Sequence, residues 1–407
     1  MARLLLLLPS ATYRADDFLA AAGVLGADVV VGSEFRQAMA ATMGDRALVV
    51  PLADPEAAVA AIVALHRRSP LDAVVAVDDQ GVLVAALAGE RLGLKHNPPD
   101  AVAATRDKLA MRTRLAGSGV AQPDWRAANS PGEVRDAVLD LGPPVVVKPL
   151  SLSASRGVIR ADDPAQAEAA ADRIEAILAG EGTEDRRLLV ERFVAGPEVA
   201  VEAILRDGSL EVLAVFDKPD PLDGPFFEET IYVTPSRQPA TVQSNIAEAA
   251  ARAAAALGLR EGPIHAELRL PVGAAGAGPV LLELAARSIG GLCARSLRFG
   301  LGVSLEEVIL AHALDLDVDT RRETVASGVM MLPIAAAGVL REVKGQDQAR
   351  AVPGIVGLEL SINPGRPVRP LPEADRYLGF LFAKGADAAA VEAALRAAHA
   401  CLDVVVA

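Results

Sequence analysis

The chain has 407 residues and a net charge of -13: long enough for two or three domains with sizeable cores, and too acidic for a general nucleic-acid binder, which needs a basic surface. Apolar residues make up 52 % but aromatics only 3 %, so the excess is small aliphatic residues, mostly alanine, suited to closely packed helices and sheets. Two cysteines, Cys293 and Cys401, exclude a disulfide-rich scaffold and fit a reducing cytoplasm. No apolar run approaches the length of a membrane span.

From the start, "RLLLLLP" reads as a buried strand. It is too short for a secretory apolar region and is soon followed by Arg14, Asp16 and Asp17. The helix "DDFLAAAGVLG" follows, then the strands "ADVVVG" and "ALVVPL". "DPEAAVAAIVALHRR" opens on Asp54 as N-cap with Pro55 behind it, a strong helix start. The strand "LDAVVAVDD" and the helix "GVLVAALAGERLG" complete an alternation that predicts a parallel sheet covered on both faces. No G-x-G-x-x-G occurs in it, which argues against a Rossmann-type dinucleotide site.

A proline-marked junction, "HNPPDAV", leads to one basic helix, "TRDKLAMRTRLAGSGV". The strand "PPVVVKPL" ends in Lys148 and runs into a loop of small residues, "SLSASRGV", before the helix "PAQAEAAADRIEAILAG". Such a loop lets backbone N–H groups approach a polyphosphate, with the lysine neutralising it; an ordinary serine-rich surface loop has the same composition. "RLLVERFVAGPEVAVEAILRDGSLEVLAVFDKP" reads as a strand, a bend and a hairpin turning at Asp207-Gly208. Its bend has an apolar edge able to read adenine and glutamates able to hold ribose, or it is a crossover with solvated Glu191 and Glu198. The stretch 216–236 carries Lys218 and Glu229 and reads either as part of an acceptor pocket or as a structural loop.

After the helix "QSNIAEAAARAAAALG" comes "HAELRLPVGAAGAGPVLLELAARSIGG". Two apolar runs flank a Gly/Ala-rich turn, so a hairpin is expected over Ile264–Pro271 and Pro279–Ala286. A turn symmetric about residue 275 sets Glu267 opposite Glu283, with Cβ atoms roughly 5 Å apart. Two carboxylates so close need a proton or a cation between them. His265, Glu267 and Arg269 share a face with Glu283, Ala285 and Arg287, while Leu282, Leu284 and Ala286 face the core. Hard oxygen ligands suit Mg2+ completed by phosphate; a solvated face with ordinary ion pairs is the other reading. The last stretch, from about Ser327, shows the β-like runs "GVMMLPIAA", "GIVGLELSI" and "YLGFLFAKG", then the helix "DAAAVEAALRAAHA" and the strand "LDVVVA".

The order and spacing of "DKLAMR", "VVVKP", the small-residue loop, "VERFVAGPEVAVE", "HAELRL" and "ELAARSIGG" resemble the ATP-grasp superfamily over roughly residues 1–320. The tail resembles the C-terminal domain of its L-amino-acid ligase, or carboxylate–amine ligase, branch. The resemblance implies a mixed α/β and α+β fold: an N-terminal parallel-sheet (pre-ATP-grasp) domain over 1–104, a two-lobed ATP-grasp domain over 105–326 with a lid at about 115–186, and a small α+β domain over 327–407. It implies ATP and Mg2+ as cofactors, with Mn2+ as a substitute. Lys108 and Lys148 would contact phosphates, and residues 151–157, with Ser153, Ser155 and Gly157, would form the moving lid. Glu191, Phe193 and Val194 would flank adenine, and Glu198 would meet ribose. Glu267 and Glu283 would hold the metal, and Arg287 and His265 would serve catalysis. Lys218, Glu229, Ser288, Gly290 and Gly291 would lie near substrate.

One departure stands out. The family pattern E-x-N-x-R has Ala285 where its asparagine belongs. His265, opposite Ala285 in the symmetric register, either fills that space or bonds Glu283 or substrate. The implied activity is ATP-dependent amide or peptide bond formation through an acyl phosphate, on small carboxylate and amine substrates in the cytoplasm, without nucleic acid or membrane. A homodimer is compatible with it. Two alternatives are an ATP-grasp enzyme of purine-biosynthesis or biotin-carboxylase type, and a non-catalytic ATP-binding module, which Ala285 alone would favour.

Overall fold

The computed structural model describes residues 2–36, 43–272 and 278–407. Its first sheet holds β1 (Arg3–Leu7), β2 (Asp28–Ser33), β3 (Ala47–Val49) and β4 (Ala73–Ala76), all parallel in the order β3-β2-β1-β4. The helices α1 (Ala15–Val24), α2 (Pro55–Arg68) and α3 (Asp79–Leu92) cover it. Asp54 caps α2 as expected, its carboxylate accepting from Ala57 N–H at 3.1 Å. The strand Leu4–Leu7 is wholly buried, so the leading leucines are core.

The basic helix breaks in two, at variance with the sequence reading. α4 (Pro99–Arg106) ends at Asp107, which is extended and caps α5 (Lys108–Leu115) by accepting from Ala110 N–H at 2.9 Å. Lys108 thereby becomes the first residue of a helix instead of a mid-helix surface charge.

The next unit contains β5 (Trp125–Ala128), α6 (Pro131–Leu141), β6 (Val145–Pro149), β7 (Ile159–Ala161), α7 (Pro164–Gly180) and β8 (Leu188–Arg192). Its antiparallel sheet, in the order β5-β8-β6-β7, packs on the two helices through Val134, Val138, Val147 and Ile174. This small lobe therefore runs past 186, because β8 lies between β5 and β6.

The large sheet is antiparallel, with eight strands in the order β13-β12-β9-β10-β11-β14-β18-β16. β9 (Glu198–Arg206) and β10 (Ser209–Lys218) form the expected hairpin, with Asp207 and Gly208 both left-handed, as a tight two-residue turn requires. β11 (Ile231–Thr234) follows, and α8 (Ala240–Leu257) lays Ala249, Ala250, Ala253 and Ala254 against the sheet, where small side chains allow close approach. β12 (Gly262–Arg269) and β13 (Val280–Ala285) form the glutamate hairpin. The expected turn over residues 273–277 lies outside the described residues. α9 (Leu305–Ala313) carries a full capping box from Ser304 and Glu307.

The C-terminal stretch does not form a sheet of its own throughout. β14 (Ala326–Leu332), β16 (Ile355–Leu360) and β18 (Gly379–Gly385) extend the large sheet. Only β15 (Gly338–Lys344), β17 (Pro367–Val368) and β19 (Asp403–Val406) make a separate three-stranded sheet. α10 (Gln346–Ala351) and α11 (Ala388–Ala400) complete this part. One core runs from Leu4 and Leu6 through Phe216 and Phe299 to Phe380, tying the first sheet to the large one. Among the described residues no helix is long and apolar enough to cross a membrane.

Candidate active site

Four neighbouring strands build a polar face. In β12 and β13 the pairs are His265 with Ala285, Ala266 with Leu284 and Glu267 with Glu283, the register symmetric about residue 275. A bulge follows: Leu268 pairs with Leu281, leaving Leu282 without a partner. This corrects the assignment of Leu282 to the core. Leu281 is buried in its place, and Leu282 turns to a cavity, its carbonyl accepting from Arg112 Nη2 at 2.5 Å. On the other side of β12, β9 sets Glu202 beside His265 and Glu198 beside Arg269. β10 adds Lys218 beside Glu198.

These charges neutralise one another in a defined pattern. Lys218 Nζ lies 2.7 Å from Glu198 and 3.1 Å from Glu267, and also bonds Glu229. Arg269 Nε donates to the other oxygen of Glu198 at 3.0 Å. His265 lies with Nδ1 3.1 Å from Glu202 and Nε2 3.5 Å from Glu267. It does not bond Glu283, which corrects one option left open by the sequence. Burial alone would lower the His265 pKa, but hydrogen bonds to Glu202 and Glu267 outweigh it and raise it to about 9, so the ring is protonated at neutral pH. Burial lifts Glu229 to about 7 against the pull of Lys218.

The small lobe supplies the opposite wall. Lys148, at the end of β6, lies 2.5 Å from Glu191, whose other oxygen accepts from Arg112 Nε at 2.7 Å. Burial pushes the Glu191 carboxyl up, but Arg112 and Lys148 hold it down at about 2. The Glu191 side chain is thus committed to ordering two cations and does not face a base. Phe193 N–H donates to Pro144 O and Val194 O accepts from Arg269, so those two groups, expected at an adenine edge, already have partners. The Phe193 ring stacks on Phe227 with centroids 6.3 Å apart. Lys108 Nζ donates to Leu152 O at 2.8 Å and lies 3.6 Å from Glu283, joining lid loop to hairpin.

Between the walls lies a cavity of about 490 Å³. Lys108, Lys148, Ser153, Ser155, Glu191, Phe193, Val194 and Glu198 all line it, as do Glu229, His265, Glu267, Glu283, Arg287, Gly290 and Gly291. Three expected residues do not. Gly157 gives its N–H to Pro372 O at 3.0 Å. Ser288 is buried, its Oγ accepting from Arg14 Nη2 at 2.8 Å behind the cavity wall. Lys218 lies just beneath the surface, within its carboxylates. Gly291 has φ +59, and a Cβ there would meet the Phe380 ring at 2.9 Å.

Three functional side chains escaped the sequence reading. Asp79, at the start of α3, pairs with Arg287 Nη2 at 2.8 Å; burial opposes its ionisation, but Arg287 lowers its pKa overall. Its signal was a carboxylate at the C-terminal end of a parallel strand, where ligand sites gather. Glu202, fully buried, accepts Ile289 N–H at 2.9 Å as well as His265. A glutamate inside the apolar strand "EVAVEAILR" had to have partners. Arg112 is one of several basic residues in the helix pattern, and only the fold brings it to Glu191.

Glu267 and Glu283 face each other across the hairpin and line the cavity, a donor pair that fits a hard divalent cation. Oxygens of Glu198, Glu229 and Glu267 also lie within 4.8 Å of one another, but Lys218 Nζ bonds all three. Ala285 contributes no donor.

Fold and cavity define a two-lobed clamp, with Lys148 from the small lobe and Lys108 from α5 facing carboxylates from the large sheet. Residues 141–296 match the ATP-grasp domain, residues 19–96 the ATP-grasp N-terminal domain, and residues 330–407 the L-amino acid ligase C-terminal domain 2. The chain thus carries an ATP-grasp domain, the N-terminal domain that accompanies it and an L-amino acid ligase C-terminal domain. It is 27% identical over 272 residues to alanine–anticapsin ligase of Bacillus subtilis, covering 63% of this chain and 56% of that one. It is 33% identical over 211 residues to D-alanine–D-alanine ligase of Desulforudis audaxviator, covering 49% and 63%. The chain thus spans less than two thirds of the length of these relatives. An L-amino acid ligase structure from Bacillus licheniformis superposes with TM-score 0.83 at 23% identity, over 100% of this chain and 99% of that one, a likeness of fold.

Proposed function

We propose that this protein is an ATP-dependent carboxylate–amine ligase that forms an amide or peptide bond between amino acids or similar small acids. The observation that carries this reading is Glu267 facing Glu283 across the hairpin, on a cavity that also receives Lys108, Lys148 and Arg287. The similar ligases and the C-terminal domain match support it.

A carboxylate oxygen is a poor leaving group at neutral pH. In the proposed reaction it takes the γ-phosphoryl group of ATP, the bond to the β-phosphate oxygen breaks, and ADP leaves. The amine nitrogen then attacks the acyl carbon, the carbon–oxygen bond breaks, phosphate leaves, and the amine loses a proton. Such transfers need positioning and cations more than covalent help.

Lys108 and Lys148 would hold phosphate oxygens, with Glu191 aligning Lys148. Ser153 and Ser155 would close over them and exclude water, which would otherwise hydrolyse the acyl phosphate. Phe193 and Val194 would border adenine, and Glu198 would accept from ribose hydroxyls. Glu267 and Glu283 would hold Mg2+ or Mn2+, which supplies charge neutralisation at the phosphate oxygens. Arg287, fixed by Asp79, would stabilise the moving phosphoryl group. His265 would hold Glu267 in place.

The test is ADP release measured against paired amino acids, with product mass. ADP release that needs both an acid and an amine, together with a condensed product, is expected. ATP turnover with neither, or none with any pair, would overturn the reading.

A further inference from the structure

The segment 370–377 crosses from the C-terminal part to the cavity mouth and is tied down on its outer side. Pro372 O accepts Gly157 N–H at 3.0 Å, and Glu373 takes both Nε and Nη2 of Arg173 on α7, at 2.7 and 3.0 Å. On its inner side Tyr377 donates to Glu229 at 3.4 Å. Between these anchors stands Arg376, which lines the cavity. Tyr13, from the loop between β1 and α1, lines the same cavity.

Every other cation lining the cavity is engaged. Lys148, Arg156, Arg192, Arg269 and Arg287 each have a carboxylate within 3.2 Å, and Lys108 and His265 are hydrogen-bonded. Among the described cations that line the cavity, Arg376 alone makes no hydrogen bond, and its one ion pair is a long contact of 3.5 Å to the exposed carboxylate of adjacent Asp375. Ligation consumes the donor's carboxylate but leaves that of an amino-acid acceptor free and charged. A guanidinium binds such a group through two parallel hydrogen bonds.

We infer that Arg376 recognises the free α-carboxylate of the amine acceptor, making the C-terminal segment part of the specificity site. This rests on the ligase reading.

The test compares wild type, Arg376→Gln and Arg376→Lys, with ATP and one accepted donor, on L-amino acids and their α-amides as acceptors. Arg376→Gln should raise KM for the carboxylate acceptor about 10-fold. Its KM for the amide, its KM for ATP and its kcat should stay as in wild type, and Arg376→Lys should recover part of the loss. Equal effects on acid and amide, or no effect on either, would overturn the assignment. If wild type turned over with no pair, the ligase reading would fail by itself. Calorimetry with L-alanyl-L-alanine and its C-terminal amide would then decide on Arg376: a wild-type preference for the acid that Arg376→Gln abolishes supports it, and no preference overturns it.

Discussion

The two ends of the cavity balance charge in opposite ways. Around Glu191 stand two cations, Arg112 and Lys148, against one carboxylate. Around Lys218 the count is reversed: Lys218, Arg269 and His265 face Glu198, Glu202, Glu229 and Glu267, three cations against four carboxyl groups, of which burial keeps Glu229 partly protonated, with a pKa of about 7. The small-lobe end is short of negative charge, and the large-sheet end has carboxyl groups to spare. Ligands of opposite sign, a polyphosphate and a divalent cation, would complete them. Glu191 therefore reads as a spacer that keeps two like charges together.

If that polarity is functional, the largest loss should come from the acidic end. Glu283→Gln should lower kcat on the order of 1000-fold, since a metal ligand contributes several kcal/mol to the transition state, while the melting temperature stays near wild type. Turnover within a few-fold of wild type would remove Glu283 from any metal role.

The same end should also carry a pH signature in stability. His265 has a folded pKa of about 9 against an ordinary 6.5. Its contribution is full below pH 6.5 and is lost as pH rises through 9, worth about 3 kcal/mol at most. Denaturant unfolding across that range should show the decline, and His265→Gln should flatten it. An unchanged slope in the variant would contradict a protonated imidazole between Glu202 and Glu267.

Arg287→Lys should lower kcat about 100-fold and leave KM for ATP nearly unchanged, because an ammonium cannot hold Asp79 and two phosphoryl oxygens together. A large rise in KM for ATP with kcat intact would make Arg287 a nucleotide-binding group.

At the basic end the effect should be smallest. Lys148→Ala should weaken ATP binding about 10-fold, read by calorimetry. Some stability should go with it, because Lys148 is partly buried on Glu191; Arg112 remains to keep that carboxylate paired. Unchanged affinity would remove Lys148 from the phosphate site.

The hairpin shows what the sequence could carry. A turn centred on residue 275 and period-2 alternation are local properties, and they place Glu267 against Glu283 correctly. The bulge at Leu282 is not local, since it answers to Arg112, 170 residues away. The broken helix was legible in principle, because Asp107 before "KLAMR" is an N-cap signal that the basic pattern obscured. The large sheet was not, since β11 and β14 pair across almost a hundred positions with no pattern in either strand naming the other. For the same reason Asp79 and Glu202 were invisible as partners: each is an ordinary acid until the fold sets Arg287 or His265 beside it.

The central claim is that the carboxylate is activated by phosphorylation. A donor acid labelled with heavy oxygen in its carboxylate tests it directly, by mass analysis of the phosphate released during turnover. The account predicts one labelled oxygen in each phosphate formed, because the bond broken by the amine is the one between the acyl carbon and that oxygen. Phosphate free of label, with product still forming, would contradict an acyl phosphate and with it the role given to Arg287.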